Sequence, residues 1–217
     1  MHQTIYKLTD ENMQTCNEFQ WELNKPYTTE GNGPLCSDKW LHAYTDPVLP
    51  AFLNPIHADF PKETMRLFRG TGVVGATDCG LMVGCTQITL EEELKPQNPT
   101  QTQNVAFGIL CAIHTLDNTQ LAFYTKNQWL QWANKFLSGE DREPITADRL
   151  RIHLASYGGN FFYTAAYPAL SAAQWCGFFS FEHLPPNYAA LAAERAARVL
   201  KGNIDLPNIA RTALEHF

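Results

Sequence analysis

Charge is what this sequence is short of. Asp, Glu, Lys and Arg make up 18% of its 217 residues while hydrophobic side chains make up 45%, against roughly 25% charged residues in an ordinary soluble domain. The shortfall places apolar or amide-bearing side chains at the surface, which suits a chain that self-associates into a homo-oligomer or docks on a partner protein. Positive charge is scarcer still, and the net charge is −6. Nucleic-acid binders neutralise phosphates with clustered Lys and Arg, so direct DNA or RNA binding is disfavoured. The dense carboxylates that would imitate nucleic acid are also lacking, since the longest acidic run is Glu91-Glu92-Glu93.

Motifs are missing as well. There is no P-loop, no Gly-x-Ser-x-Gly and no His-Glu-x-x-His, so P-loop nucleotide-binding, serine-hydrolase and zinc-protease readings have no support and no cofactor is called for. Cys16, Cys36, Cys79, Cys85, Cys111 and Cys176 form no Cys-x-x-Cys pair, and no charged-then-apolar leader opens the sequence. The expectation is reduced thiols in a cytoplasm. One stretch free of charge, Phe161 to Phe181, is about long enough to cross a bilayer. Pro168, Gln174, Gly177, Thr164, Ser171 and Ser180 interrupt it and alanine supplies much of its bulk, which predicts a buried helix or helix pair, with no membrane contact.

What is present divides in two. The first half is short, alternating and punctuated. Phe19, Trp21 and Leu23 fall on one face of a predicted half-buried strand. Glu30 to Pro34 reads as a turn, Trp40 to Tyr44 as a strand, and Thr45-Asp46-Pro47 as the start of a short helix stopped by Asn54-Pro55. Strands are predicted at Met65 to Arg69 and Leu81 to Leu90, separated by the Gly-rich stretch from Gly70 to Gly80 with its Asp78-Cys79-Gly80 turn. Lys95 to Asn104 is polar and proline-broken, as a linker is.

Beyond it the pattern is helical. Helices are expected at Val105 to Leu116, after a Thr125 cap with Trp129, Trp132, Ala133, Phe136 and Leu137 inward, and after a Thr146 cap. Two more are expected at Tyr188 to Lys201 and after an Asp205 cap. The fold class is therefore α+β, with a strand-rich domain over residues 1–95 followed by an all-α helical bundle over 105–217.

The densest polar group lies around His42, Tyr44 and Asp46, with His57 following. On a strand His42 and Tyr44 share a face, and Asp46 could fix an imidazole tautomer for acid–base work or ligand binding. The competing reading is structural: Asp46 a helix cap, Tyr44 core, His42 a hydrogen-bonded histidine. Cys36, His42, His57 and Asp59 have metal-ligand chemistry but no recognised spacing, and no metal site is assigned. Arg149 and Arg151 give the third predicted helix a basic side that could meet an acidic partner.

Leu67-Phe68-Arg69-Gly70-Thr71, followed by Glu91 and Glu93 in a Glu-x-Glu, resembles the strand-borne motif of arginine-type ADP-ribosyltransferases. That resemblance implies Arg69 on the NAD phosphates and the glutamates directing ribosyl transfer. No Ser-Thr-Ser element lies between them, and the intervening chain is short for such a core. A wider set of motifs is similar to a group of uncharacterised bacteriophage and prophage proteins. These are Tyr6-Lys7, Phe19-Gln20-Trp21 with Lys25-Pro26-Tyr27, Leu35-Cys36 with Leu41-His42-Ala43, Val105 to Cys111, Leu137 to Arg142, and the tail with Ile204-Asp205-Leu206. That resemblance implies a phage accessory gene and brings no established activity with it. The reading that follows is an accessory protein that binds and inhibits a host protein, such as a defence component, in the host cytoplasm. The alternatives are an ADP-ribosyltransferase-like enzyme and a virion or assembly component.

Overall fold

The computed structural model describes residues 2–116, 123–143, 145–147, 149–150 and 184–217. It is a mixed α+β structure with an antiparallel sheet, and it separates into two compact units, Met1–Asn98 and Pro99–Phe217.

In the first unit the strands are β1 (His2–Thr9), β2 (Gln14–Thr15), β3 (Phe19–Gln20), β4 (Pro26–Thr28), β5 (Leu41–Ala43), β6 (Arg66–Asp78) and β7 (Met82–Leu94), with helix α1 (Leu49–His57) between β5 and β6. The long hairpin of β6 and β7 is the spine. Its turn has Cys79 at φ 49° and Gly80 at φ 80°, closed by Leu81 N–H donating to Asp78 O at 2.7 Å, the left-handed pair that matches strand twist. β1 lines one side of the hairpin, while β4 and β5 both pair with the free side of β7. Past β5, Tyr44 exchanges both main-chain hydrogen bonds with Tyr6 of β1, at 2.8 Å each. The sheet thus curls into a small barrel whose β1–β5 seam is one bridge.

The Gly70 to Gly80 stretch is strand rather than a separator. Register slips at Arg69/Gly70, Val73/Val74 and Val74/Ala76 bend the hairpin, and the glycines sit where neighbours come too close for a side chain. A Cβ on Gly70 would stand 2.1 Å from Thr89 O, and one on Gly75 would stand 2.8 Å from the Trp40 ring. Inside the curl Ile5, Trp21, Ala43, Phe68, Val83, Cys85, Ile88 and Leu90 form the core. A smaller cluster of Leu8, Met65 and Leu67 packs with Tyr6, Ala51, Phe60 and Leu94.

Two further expectations change here. α1 begins at Leu49, with Asp46 Oδ1 accepting from Val48 N–H at 3.1 Å, so Asp46 organises the approach to the helix rather than its first turn. Pro55 lies inside α1 instead of stopping it, because the exit is built by Asn54: its main-chain oxygen takes Ala58 and Asp59 N–H, and its side chain pairs with both main-chain groups of Phe60.

In the second unit α2 (Gln101–Ile113) starts within the stretch read as linker, since Thr100 and Gln103 make a reciprocal capping box. α3 (Phe123–Ser138) begins ahead of Thr125, which is therefore helical and not a cap. α4 (Leu184–Val199) and α5 (Leu206–His216) follow, the latter capped by Asp205 Oδ1 on Asn208 N–H at 3.1 Å. Trp129, Trp132, Ala133 and Phe136 of α3 are buried with Val105, Ile109 and Ala112 of α2. Gly108 lets α2 approach α4, where a Cβ would be 3.2 Å from Ala189 Cα. Thr146 falls inside a helical stretch at 145–147 rather than ahead of it. The uncharged Phe161 to Phe181 stretch and Arg151 lie outside the described residues. Among the described residues no helix is long and apolar enough to cross a membrane.

Candidate functional site: an aromatic hairpin over a buried lysine

The strands β2 and β3 form a minimal hairpin. Its turn runs Cys16 to Phe19, with Asn17 at φ 59°, Glu18 at φ 56° and Phe19 N–H donating to Cys16 O. Two consecutive left-handed residues are what a tight hairpin requires, and asparagine tolerates the first position, but a glutamate at the second is strained. Met13 at φ 61° and Asn24 at φ 59° flank the hairpin. Strain held in a short surface element marks a segment whose shape matters.

That shape presents rings. Phe19, Trp21 and Tyr27 pack in a triangle, with centroids 5.0 Å apart for Phe19–Trp21, 5.3 Å for Phe19–Tyr27 and 4.9 Å for Trp21–Tyr27. Trp21 is buried at 2% exposure and its Nε1–H donates to Thr15 Oγ1 at 3.0 Å, whereas Phe19 is 39% and Leu23 44% exposed. The single predicted face is therefore split: alternation fails because the chain leaves strand geometry after Gln20 and rejoins the sheet at the parallel Leu23–Leu90 bridge, where Asn24 N–H donates to Leu90 O at 2.7 Å. Lys25 covers the Tyr27 ring at 5.4 Å and is ion-paired with Glu22, whose carboxyl it holds below the usual range.

Beneath the rings is Lys7. It is 8% exposed, its Nζ donates to His42 O at 2.6 Å, and it lies 4.9 Å from the Trp21 ring centroid. Burial pushes this amine down to about 8, partly opposed by Cys85. Burial pushes the Cys85 thiol up to about 11.

The predicted site residues are distributed differently. Tyr44 O–H and His57 Nδ1 meet at 2.9 Å, and burial raises the Tyr44 phenol. The His42 ring instead contacts Leu35 O through Nε2 at 2.5 Å, tying down the loop between β4 and β5. Gly31 N–H to Lys39 O at 3.0 Å closes the same loop, and Trp40 Nε1–H donates to Gly33 O at 3.2 Å. Asp46 serves its own backbone. Arg69 meets Glu92 at 2.6 Å across the hairpin, while Glu93 is held by Arg66 at 2.6 and 2.8 Å and Glu91 accepts from Thr71 Oγ1 at 2.9 Å. Glu91 is the extra residue of a bulge, since Arg69 faces Glu92 and Gly70 faces Leu90. These side chains form an exposed ladder, each with its own partner. Arg149 is exposed. Among the described residues no three His, Cys, Asp or Glu side chains gather in a way that could hold a metal ion.

Sequence reasoning missed Lys7, because a lysine within an alternating strand looks solvent-facing. It also missed the hairpin, although Asn17, a residue that accepts a left-handed conformation, is a turn signal. No family model matches the chain, and neither a curated protein nor a solved structure matches it.

Proposed function

We propose that the protein acts by binding another protein, with the aromatic hairpin as its docking element, and that it is a phage-encoded accessory factor inhibiting a host protein in the host cytoplasm. The observation that carries the docking reading is the Phe19–Trp21–Tyr27 triangle, in which Phe19 is exposed, with Leu23 exposed two residues on from Trp21. Rigid aromatic anchors beside aliphatic surface are the composition of interface hot spots. A buried Trp21 fixes the presentation, so little side-chain entropy is lost on contact. The sequence resemblance to phage proteins supports the source of the gene, and the surface poor in charge supports a protein partner. In this reading the strand-rich unit carries the interface and the second unit is a helical bundle.

An ADP-ribosyltransferase-like activity is the second reading, and it would have to recruit Arg69 from its pairing with Glu92. Loss of NAD turnover on Arg69→Ala would support that reading.

The test is a pull-down from nuclease-treated bacterial lysate with the full chain and with a Phe19→Ser/Leu23→Ser variant. The expected result is one host protein retained near one-to-one by the native chain and lost by the variant at unchanged melting temperature. Each anchor is expected to contribute about 2 kcal/mol, or roughly thirtyfold in affinity. Equal capture by both chains, or capture by neither, overturns the reading.

A further inference from the structure

We propose that Asn32 is a self-modifying residue: the Gly33 backbone nitrogen converts its side-chain amide into a succinimide, which water opens to isoaspartyl and aspartyl forms, and the change unfastens the loop between β4 and β5. This goes beyond the docking reading and does not depend on it.

Asn32-Gly33 is the one Asn-Gly pair in the sequence. Ring closure needs the nitrogen of the next residue to reach the side-chain carbon, and the obstruction is that residue's Cβ, which glycine lacks. The structure leaves the pair free to react. Asn32 and Gly33 are both exposed, so water reaches them. Gly33 sits at φ 81°, and a Cβ built there would meet nothing within 4 Å, so the backbone has room to turn. Gly31 in the same loop is the opposite case: a Cβ there would stand 2.2 Å from Thr86 Cγ2, and its N–H is spent on Lys39 O at 3.0 Å. Gly33 uses its carbonyl, which accepts from Trp40 Nε1–H at 3.2 Å, while among the described residues no acceptor meets its N–H. The Asn32 amide is restrained by Nδ2 donating to Glu30 Oε2 at 3.3 Å, a long bond in solvent.

The chemistry needs only water. Gly33 N gives its proton to solvent as its lone pair adds to Asn32 Cγ and the π pair moves to oxygen. That pair returns, the bond from Cγ to the side-chain nitrogen breaks, and the nitrogen takes a proton from water and leaves as ammonia. Water then adds to either ring carbonyl, and the bond from that carbon to Gly33 N breaks. One amide and one water yield one carboxylic acid and one ammonia, with no oxidation or reduction.

The product undoes the clasp around it. Glu30 accepts from the Asn32 amide and pairs with Lys39 at 3.2 Å through the same Oε2. A carboxylate at position 32 has no donor to offer Glu30 and repels it. In the isoaspartyl form the main chain runs through the side-chain carbon and is a methylene longer, which draws Gly33 O away from Trp40 Nε1. Trp40 is buried where Gly75 and Gly84 make room for its ring, so the loop rather than the ring gives way.

The experiment ages the native full chain in mildly alkaline buffer at physiological temperature and follows amide conversion by peptide mass spectrometry, with the exposed Asn12, Asn17 and Asn24 as references in the same tube. The expected result is position 32 converting about tenfold faster than any of them. Two isomeric products should separate by chromatography, and the aged chain should show faster hydrogen exchange in the loop peptide carrying Gly31. Gly33→Ala should slow conversion to the reference rate, and an unslowed variant overturns the role of Gly33. Conversion of Asn32 at or below the reference rate overturns the proposal. Conversion that leaves exchange of the loop peptide unchanged overturns the release of the loop.

Discussion

The Lys7 ammonium donates to the main-chain oxygen of His42 at 2.6 Å, and it does so where the next rung between β1 and β5 would form. Tyr6 and Tyr44 exchange both backbone bonds. Continuing that ladder antiparallel would set Leu8 opposite His42, but a side chain takes the His42 carbonyl instead. The barrel seam is therefore closed by a titratable group.

That gives stability an unusual pH dependence. Lys7 ionises at about 8 in the folded chain against 10.5 for the free side chain, chiefly through burial. The folded form binds fewer protons than the unfolded form over that interval, so stability rises with pH there. Cys85 opposes it at higher pH: with a thiol raised from 9.0 to about 11, the folded form keeps a proton the unfolded chain loses, and stability falls through that range. The Cys111 thiol, also raised by burial, acts in the same sense as Cys85, so the net gain is confined to a window from about 8 to 9 and stays below about 1 kcal/mol. Urea midpoints measured across that window should rise for the native chain and stay level in Lys7→Met. A flat native profile would show that Lys7 is not desolvated.

The hairpin turn makes a second prediction. Glu18 has φ 56° after Asn17 at φ 59°, and a residue with a Cβ is strained there. Glu18→Gly relieves the strain but frees the unfolded chain, so the expected net stabilisation is roughly 0.5 to 1 kcal/mol. Thermal melts measure it directly, and a destabilised variant would mean that the Glu18 side chain supports the hairpin.

How much of this was legible beforehand follows from what each residue signals locally. The β6–β7 turn at Asp78-Cys79-Gly80, the α5 cap at Asp205 and the inward stripe of α3 depend on short-range chemistry and appear in the sequence. The length of β6 does not, because Gly70 and Gly75 look like loop residues until one sees Thr89 O and the Trp40 ring pressed against them. The buried Lys7 is invisible for the same reason: its burial is created by Trp21, His42 and Cys85, three residues brought in by tertiary folding. Of the residues singled out for chemistry, the structure joins Tyr44 to His57 and leaves His42 on a loop carbonyl.

Tyr44→Phe is the third test. The hydroxyl is buried and meets His57 Nδ1 at 2.9 Å, so its removal should cost about 1 to 2 kcal/mol, the loss of a buried hydrogen bond with the ring retained. Denaturant unfolding with unchanged m-value checks it. A neutral result would mean that His57 is satisfied without Tyr44.

Gly70→Ala is the most severe single-atom test of the fold. At this position β6 crosses a bulge, with Arg69 opposite Glu92 and Gly70 opposite Leu90, and the two backbones come closer than a regular ladder allows. An added Cβ would stand 2.1 Å from Thr89 O and 2.9 Å from Leu90 Cα. Both are main-chain atoms, so no flexible side chain can swing away, and the strands must separate or the bulge must move. The expected cost is about 3 kcal/mol. Arg69→Ala, one residue away, removes only a half-exposed ion pair to Glu92 and should change stability by less than about 0.5 kcal/mol. Comparing the two separates backbone approach from surface charge as the reason this segment has its sequence. A large loss with Arg69→Ala and a small one with Gly70→Ala would reverse that assignment.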